Sequence, residues 1–367
     1  MGEILGIGCT HTGVMGPIER MADIYLRQNL KSDLTPAHLK DPANWPAQMR
    51  EEWADDEGLE TARAYRANLV EGFRAARKAI DDFHPDFVAI FGDDQYENFK
   101  EDLIPPFCVM AIDEQVCGPR GRGPMFPGAP EQAPLTVKGS KEIGTQVARG
   151  LIDAGFDVGC SWKLHHEETY GHAFVNTIRF LDLDSKGFPH TVIPISVNCY
   201  GSDLRVPNSA NPNPARIGRR LENQPIQPPP GPSPWRCYDL GKQLAKFIVD
   251  GPWRGVVIGS SSWSHASLTT KNHYLWPDVT TDRQRLADVK SGDLSGWRAI
   301  TTEQLHDAGQ HEFLNWVCLA GAMEGRKPES IWYSEAHIFN SDRAVVTFPA
   351  QPSGALQFRS NRPAVSV

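Results

Sequence analysis

Side chains able to do acid–base or metal chemistry fall just after short apolar runs in this sequence. The run 87–91 meets Gly92 and then Asp93, Asp94, Gln95, Glu97 and Asn98, a cluster of hard oxygen donors without an imidazole. The run 4–8 leads into Cys9, Thr10 and His11, and the run 255–259 leads into Ser260, Trp263, Ser264 and His265. Two further groups are His165-His166-Glu167-Glu168 with His172, and His311-Glu312. Oxygen donors suit hard divalent cations, and imidazole suits transition metals and proton transfer near neutral pH. Any one of these histidines, taken alone, is more often a satisfied core residue than a ligand. Several of them gathered at strand ends would make a site, because open α/β sheets bind ligands outside the carboxyl ends of their strands.

The elements that must do the gathering read as alternating strands and helices. Strands are expected over 4–8, 87–91, around 156–160, over 191–197 and over 255–259. Helices are expected over 59–83, 138–154, 239–250 and 301–323. The helix at 59–83 carries Leu59, Ala62, Tyr65, Leu69, Phe73, Ala76 and Ile80 on one face, the three-and-four spacing of an amphipathic helix. On the 301–323 helix, Leu305, Ala308, Glu312, Trp316 and Leu319 would share a face, and a carboxylate there must be neutralised, paired or metal-bound. This alternation predicts an α/β fold: a mixed or mainly parallel central sheet covered by helices, in one large domain over residues 1–367. Two segments interrupt it. Residues 20–58 are polar and contain Pro and Trp. Residues 203–236 are rich in Pro, which excludes regular helix or central strand and leaves either a rigid surface loop or an arm that covers a site or a neighbouring subunit.

Composition narrows the function classes. The chain has 367 residues, with Lys+Arg 37 against Asp+Glu 45 and a formal net charge of −8. Without a basic run, nucleic acid is a poor partner. No apolar window approaches membrane-spanning length, and the first residues lack the basic and apolar regions of a secretion signal. The 7 cysteines are scattered without a Cys-x-x-Cys pair, which predicts reduced thiols in a cytoplasmic protein. Cys9 lies two residues from His11, and packing as a small hydrophobe is its plainer role over a metal one.

In order along the chain, these segments resemble the class III extradiol ring-cleavage dioxygenases, in particular the catalytic β subunit of protocatechuate 4,5-dioxygenase. The resemblance is carried by Gly8-Cys9-Thr10-His11, by Asp94-Gln95 through Phe99 with Ile104-Pro105-Pro106-Phe107, by Gly171-His172-Ala173-Phe174, by residues 192–198, by Gly259 through His265, and by His311-Glu312-Phe313-Leu314-Asn315-Trp316. Each motif is short; their shared order over most of the chain is the specific part. Residues 20–58 and 203–236 look like insertions in that pattern. The resemblance implies extradiol (meta) cleavage of a catechol-type aromatic with O2 and a non-haem Fe(II). It makes His11 and Glu312 metal ligands, His265 the acid/base and His172 an assistant to substrate or dioxygen. A facial triad of two histidines and one carboxylate leaves positions open for both co-substrates. Arg120 and Arg122 can meet a substrate carboxylate bidentately, with a solvated basic loop as the plainer reading. A homo-oligomer is expected, with or without a small α-type subunit.

One residue departs from the pattern. Gln95 stands where the family carries a ligand histidine. Three outcomes are open: Gln95 ligates through its amide oxygen; Asp94, Asp93 or Glu97 takes over, in a site suited to Mn(II) or Mg(II); or the metal is lost. The last would allow a lyase or hydrolase acting on a phenolic or carbonyl substrate, with His265 as general base. His165 or His166 could compensate for Gln95, although Glu167 and Glu168 equally suggest a surface charge cluster. A non-catalytic subunit is disfavoured, because His11, His172, His265 and Glu312 would be costly to bury unpaired.

Overall fold

The structure is a computed structural model and describes residues 2–12, 25–100, 102–118, 133–201 and 229–352. Its strands are β1 (Glu3–Cys9), β2 (Phe87–Asp93), β3 (Phe107–Met110), β4 (Glu114–Cys117), β5 (Leu135–Lys138), β6 (Gly159–Ser161), β7 (Val192–Val197), β8 (Arg254–Ser260), β9 (Ser330–Ser334) and β10 (Arg343–Pro352). Among the described residues, β4 and β5 form a separate ribbon, and the other strands make an 8-stranded sheet in the order β6-β3-β7-β2-β8-β1-β10-β9. The central strands β7, β2, β8 and β1 are parallel, while β3 and β10 join them antiparallel. The expected mixed, mainly parallel sheet is therefore present.

The helices are α1 (Leu26–Leu30), α2 (Ala47–Trp53), α3 (Leu59–Phe83), α4 (Lys141–Asp153), α5 (His172–Leu181), α6 (Pro234–Asp250), α7 (Val279–Ser291), α8 (Thr302–Asp307) and α9 (Leu314–Ala322). Strand β2 shows how two cores share one sheet. Phe87, Ala89 and Phe91 point into a cluster with Leu244 of α6 and Trp316 of α9. Val88 and Ile90 point the other way, against Leu69 and Phe73 of α3 and Ile178 of α5. A strand covered on both faces needs apolar residues at every position, hence the unbroken run in the sequence. Residues 25–58, read as an insertion, contribute Leu26, Leu39, Trp45 and Met49 to the second core.

Helices α6 and α9 cross at unusually close range. A Cβ added at Gly241 would lie 1.7 Å from the Cys318 carbonyl oxygen, and one at Gly321 would lie 1.8 Å from that of Tyr238. Backbone cannot retreat from such contacts as a side-chain tip can. Gly241→Ala is therefore expected to cost about 1–3 kcal/mol, read as a lowered midpoint in denaturant unfolding; an unchanged midpoint would show that the two helices separate freely.

The helix expected over 301–323 is broken. Helix α8 ends at Asp307, Gly309 takes φ +69°, a single 3-10 turn covers His311–Phe313, and α9 begins at Leu314. The Gly309 carbonyl accepts a bond from the His265 backbone N–H at 2.9 Å, and a Cβ at Gly309 would sit 2.6 Å from the His265 carbonyl oxygen. The break thus joins the loop after β8 to the turn that carries Glu312.

Candidate active site

Four parallel strands end at one place. Past β1 comes His11, at the end of β2 Asp93, past β7 Tyr200, and past β8 the loop to His265; α5 begins with His172, and the 3-10 turn adds Glu312. His11, Asp93, Glu312, Tyr200 and His265 are all buried.

The orientation of His11 is set from behind. Its Nδ1 lies 3.0 Å from the Ser260 carbonyl oxygen, which can only accept, so Nδ1 carries the proton and the neutral ring presents a bare Nε2. That Nε2 is 3.4 Å from Asp93 Oδ1 and 3.4 Å from Glu312 Oε2. Neither His11 Nε2 nor Glu312 Oε2 has a hydrogen-bond partner. Buried polar atoms are normally satisfied, and lone pairs that face one another repel. The arrangement calls for a cation between them, either a second imidazole proton or a metal ion. Atoms 3.4 Å apart can both lie about 2.1 Å from one ion, an ordinary bond length for such donors. His11 and Asp93 also lie with His172 in a group whose nitrogen and oxygen atoms are within 4.8 Å of one another, where His172 can serve as a ligand only once its Nε2 is unprotonated. The donors therefore fit a divalent metal. Burial, and next the Glu312 charge, raises the Asp93 carboxyl above its ordinary range. Burial pushes Glu312 upward too, but the His265 and His11 imidazoles and the Tyr200 hydroxyl outweigh it and hold Glu312 well below that range.

Gln95 sits against the carboxylates. Its amide nitrogen donates to Asp93 Oδ2 and to Glu312 Oε1, at 2.9 Å each, and lies 3.3 Å from the Tyr200 hydroxyl. The Tyr200 hydroxyl in turn donates to Glu312 Oε1 at 2.5 Å.

His172 is held by Glu97. The Glu97 carboxylate accepts from His172 Nδ1 at 2.8 Å and from the His172 backbone N–H. Burial lowers His172, but the Glu97 charge and hydrogen bond overcome it and raise the imidazole from 6.5 to about 9. Because the folded value lies above the unfolded one, this pair stabilises the fold below pH 6.5, and the contribution is lost as pH rises through about 9. Glu97→Gln is expected to bring the His172 titration, followed by NMR of the ring, down towards 6.5 or below; an unmoved titration would remove Glu97 as its cause.

The His265 loop is pinned at several points. His265 Nδ1 lies 3.1 Å from the Trp263 carbonyl oxygen, so its Nε2 faces the site, 3.5 Å from Glu312 Oε2. The buried Asp282 carboxylate accepts the Ser264 backbone N–H at 3.1 Å and the Gln310 side-chain amide at 2.6 Å. One carboxylate thereby ties the His265 loop to the turn carrying Glu312.

Other candidates from the sequence lie elsewhere. Asp94 accepts backbone N–H groups of Glu97, Asn98 and Phe99. It caps the turn after β2, and Asp93 is the residue beside His11. His166 pairs with Asp102 at the surface, and His165 packs beside His166, away from the cluster. Cys9 is buried, and burial raises its thiol to about 12, which suits packing. All 7 cysteines are free, 6 of them buried. Arg120 and Arg122 lie outside the described residues, as does most of the Pro-rich segment 203–236. Tyr200 was missed from sequence, although it comes three residues past a buried strand, a placement like that of His11 and His265 just beyond theirs.

Comparison with known proteins gives a consistent picture. No family model matches the chain. The chain is 29% identical over 246 residues to a 2,3-dihydroxyphenylpropionate/2,3-dihydroxicinnamic acid 1,2-dioxygenase of Comamonas testosteroni, covering 66% of this chain and 61% of that enzyme. It is 26% identical over 290 residues to the enzyme of that name from Rhodococcus sp, covering 72% and 85%. The Burkholderia vietnamiensis enzyme is 25% identical over 291 residues, covering 74% and 85%. The aligned part thus spans under two thirds of the Comamonas relative and more of the other two. These relatives are named as dioxygenases of a dihydroxylated aromatic acid, which gives the lyase or hydrolase alternative no support. Among the described residues, no helix is long and apolar enough to cross a membrane.

Proposed function

We propose that this homologue of the class III extradiol ring-cleavage dioxygenases opens a catechol-type ring beside its two hydroxyls, with O2 as co-substrate and non-haem Fe(II) as cofactor. The observation that carries this reading is the bare pair His11 Nε2 and Glu312 Oε2, buried and facing each other at 3.4 Å, with His265 Nε2 at 3.5 Å from the same oxygen. His11 and Glu312 would hold the metal, which would supply redox contact between substrate and O2.

The remaining work falls to side chains. His265, its Nδ1 proton fixed on Trp263, takes a proton from a catechol hydroxyl at Nε2 and later returns it to the product. His172, kept cationic by Glu97, faces the site with Nε2 and stabilises negative charge developing on oxygen. Burial of His11, Asp93, Glu312, Tyr200 and His265 keeps water from most of the group, with His172 at its more open side, which strengthens these interactions. The reaction balances without an added reductant: one ring carbon–carbon bond breaks, and both oxygen atoms of O2 enter the ring-opened product.

The named relatives act on a catechol bearing an acidic side chain, and that substrate class is proposed here. The buried free thiols suit a reducing, cytoplasmic setting. The expectation of a homo-oligomer rests on residues 203–236, of which 229–236 are described. The test is O2 uptake by Fe(II)-loaded protein given catechol, protocatechuate and 2,3-dihydroxyphenylpropionate. Uptake equimolar with a yellow ring-opened product is expected for at least one of them. An iron-loaded preparation inert towards all three would contradict the proposal.

A further inference from the structure

We propose that Asp93, with His11 and Glu312, is a metal ligand, and that Gln95, in the position of the missing histidine, is a brace for the two anionic ligands. The inference deepens the functional reading above and rests on its claim that the site holds a metal.

Each carboxylate divides its oxygens in the same way. Asp93 Oδ2 and Glu312 Oε1 accept from the Gln95 amide nitrogen at 2.9 Å. Asp93 Oδ1 and Glu312 Oε2 lie 3.4 Å from His11 Nε2. An amide placed between two carboxylates must present its NH2 group, because its carbonyl oxygen would meet lone pairs. Gln95 thus uses its donors on the carboxylates' far oxygens, with its amide nitrogen as the end that meets them. Asp93, fully buried at 0% exposure, gains no compensating cation from this neutral brace. Its near oxygen takes a long contact from the Asn315 side-chain amide at 3.4 Å and faces the bare Nε2 of His11, beside a Glu312 oxygen that has no hydrogen-bond partner. A metal ion taken up by His11 Nε2 and Glu312 Oε2 would answer both unpartnered atoms, and Asp93 Oδ1 lies 3.4 Å from that same nitrogen.

The ligand charge changes as a result. Two carboxylates and a neutral imidazole cancel a divalent ion's charge, where two imidazoles and one carboxylate leave it one positive. A site with more hard oxygen donors accepts Mn(II) more readily, relative to Zn(II) or Cu(II), than an imidazole-rich one.

The experiment titrates metal-free full-length protein with Mn(II), read by EPR of the free ion and by calorimetry, in the wild type, Asp93→Asn and Gln95→Met, after thermal melts establish folding. The wild type is expected to bind one Mn(II) per chain. Gln95→Met should weaken binding by about 10- to 100-fold, the effect of losing an outer support. Asp93→Asn should weaken it at least about tenfold more than that. Equal or reversed order overturns the assignment, since it would make Gln95 the ligand through its oxygen. If Asp93→Asn does not fold, Gln95→Met decides alone: retained one-to-one binding supports the brace, and loss of all binding overturns it. Metal binding with this order but no catechol cleavage would sink the proposed reaction and leave the ligand assignment standing. Catechol cleavage by an Asp93→Asn protein with wild-type Mn(II) affinity would do the reverse.

Discussion

Replacing His265 with Asn is expected to lower kcat by about 10²- to 10⁴-fold, the usual range for a lost general acid–base group, while metal content stays at the wild-type level. The imidazole is buried, and its Nδ1 lies 3.1 Å from the Trp263 carbonyl, so Nε2 does the work. The loop does not depend on the ring. The His265 backbone N–H bonds Gly309 at 2.9 Å, His265 forms a β-bridge with Ser341, and Asp282 holds the preceding Ser264 N–H. Asparagine can therefore occupy the same backbone without moving Glu312. Steady-state kinetics and metal analysis on one preparation check both halves. A variant within threefold of wild-type kcat would remove His265 from proton transfer, and a variant lacking metal would make it a ligand instead.

Glu312→Gln is the second large effect. The change keeps shape and an acceptor for Tyr200 and Gln95, but it removes the charge that faces His11 at 3.4 Å. Fe(II) or Mn(II) supplied at about 100 times the dissociation constant stabilises a binding-competent protein by about 2.7 kcal/mol. The wild type should therefore melt at a higher temperature with metal than without. Glu312→Gln should show no metal-dependent rise and no ring cleavage. A variant whose melting temperature still rises with metal would show that His11, Asp93 and the neighbouring groups hold the ion without Glu312.

Much of this was legible in the sequence because a buried parallel strand is apolar at every position. The runs 87–91 and 255–259 and the amphipathic helix 59–83 appear in the structure as β2, β8 and α3. His11 and His265 stand just beyond such runs, while the roles of His172 and Glu312 came from the family resemblance. What could not be read depends on contacts distant in sequence. The apolar spacing of 301–323 continues smoothly through Gly309 and hides a glycine cap there, where the Gln310 N–H bonds back to Leu305 and the Gly309 N–H to His306; the bond from the distant His265 then fixes the break in place. Asp93 and Asp94 are adjacent and chemically alike. The last strand residue faces His11, and the next one caps a turn, a distinction made by backbone direction alone. Gln95 read as a missing ligand because sequence shows the residue type and not which end of its amide meets the carboxylates.

The most direct test of the account is ring cleavage under 18O2 by Fe(II)-loaded wild-type protein, with the product trapped quickly and weighed by mass spectrometry. The account predicts a ring-opened product that carries both atoms of a single O2 molecule. A product carrying one labelled atom, or none, would contradict it.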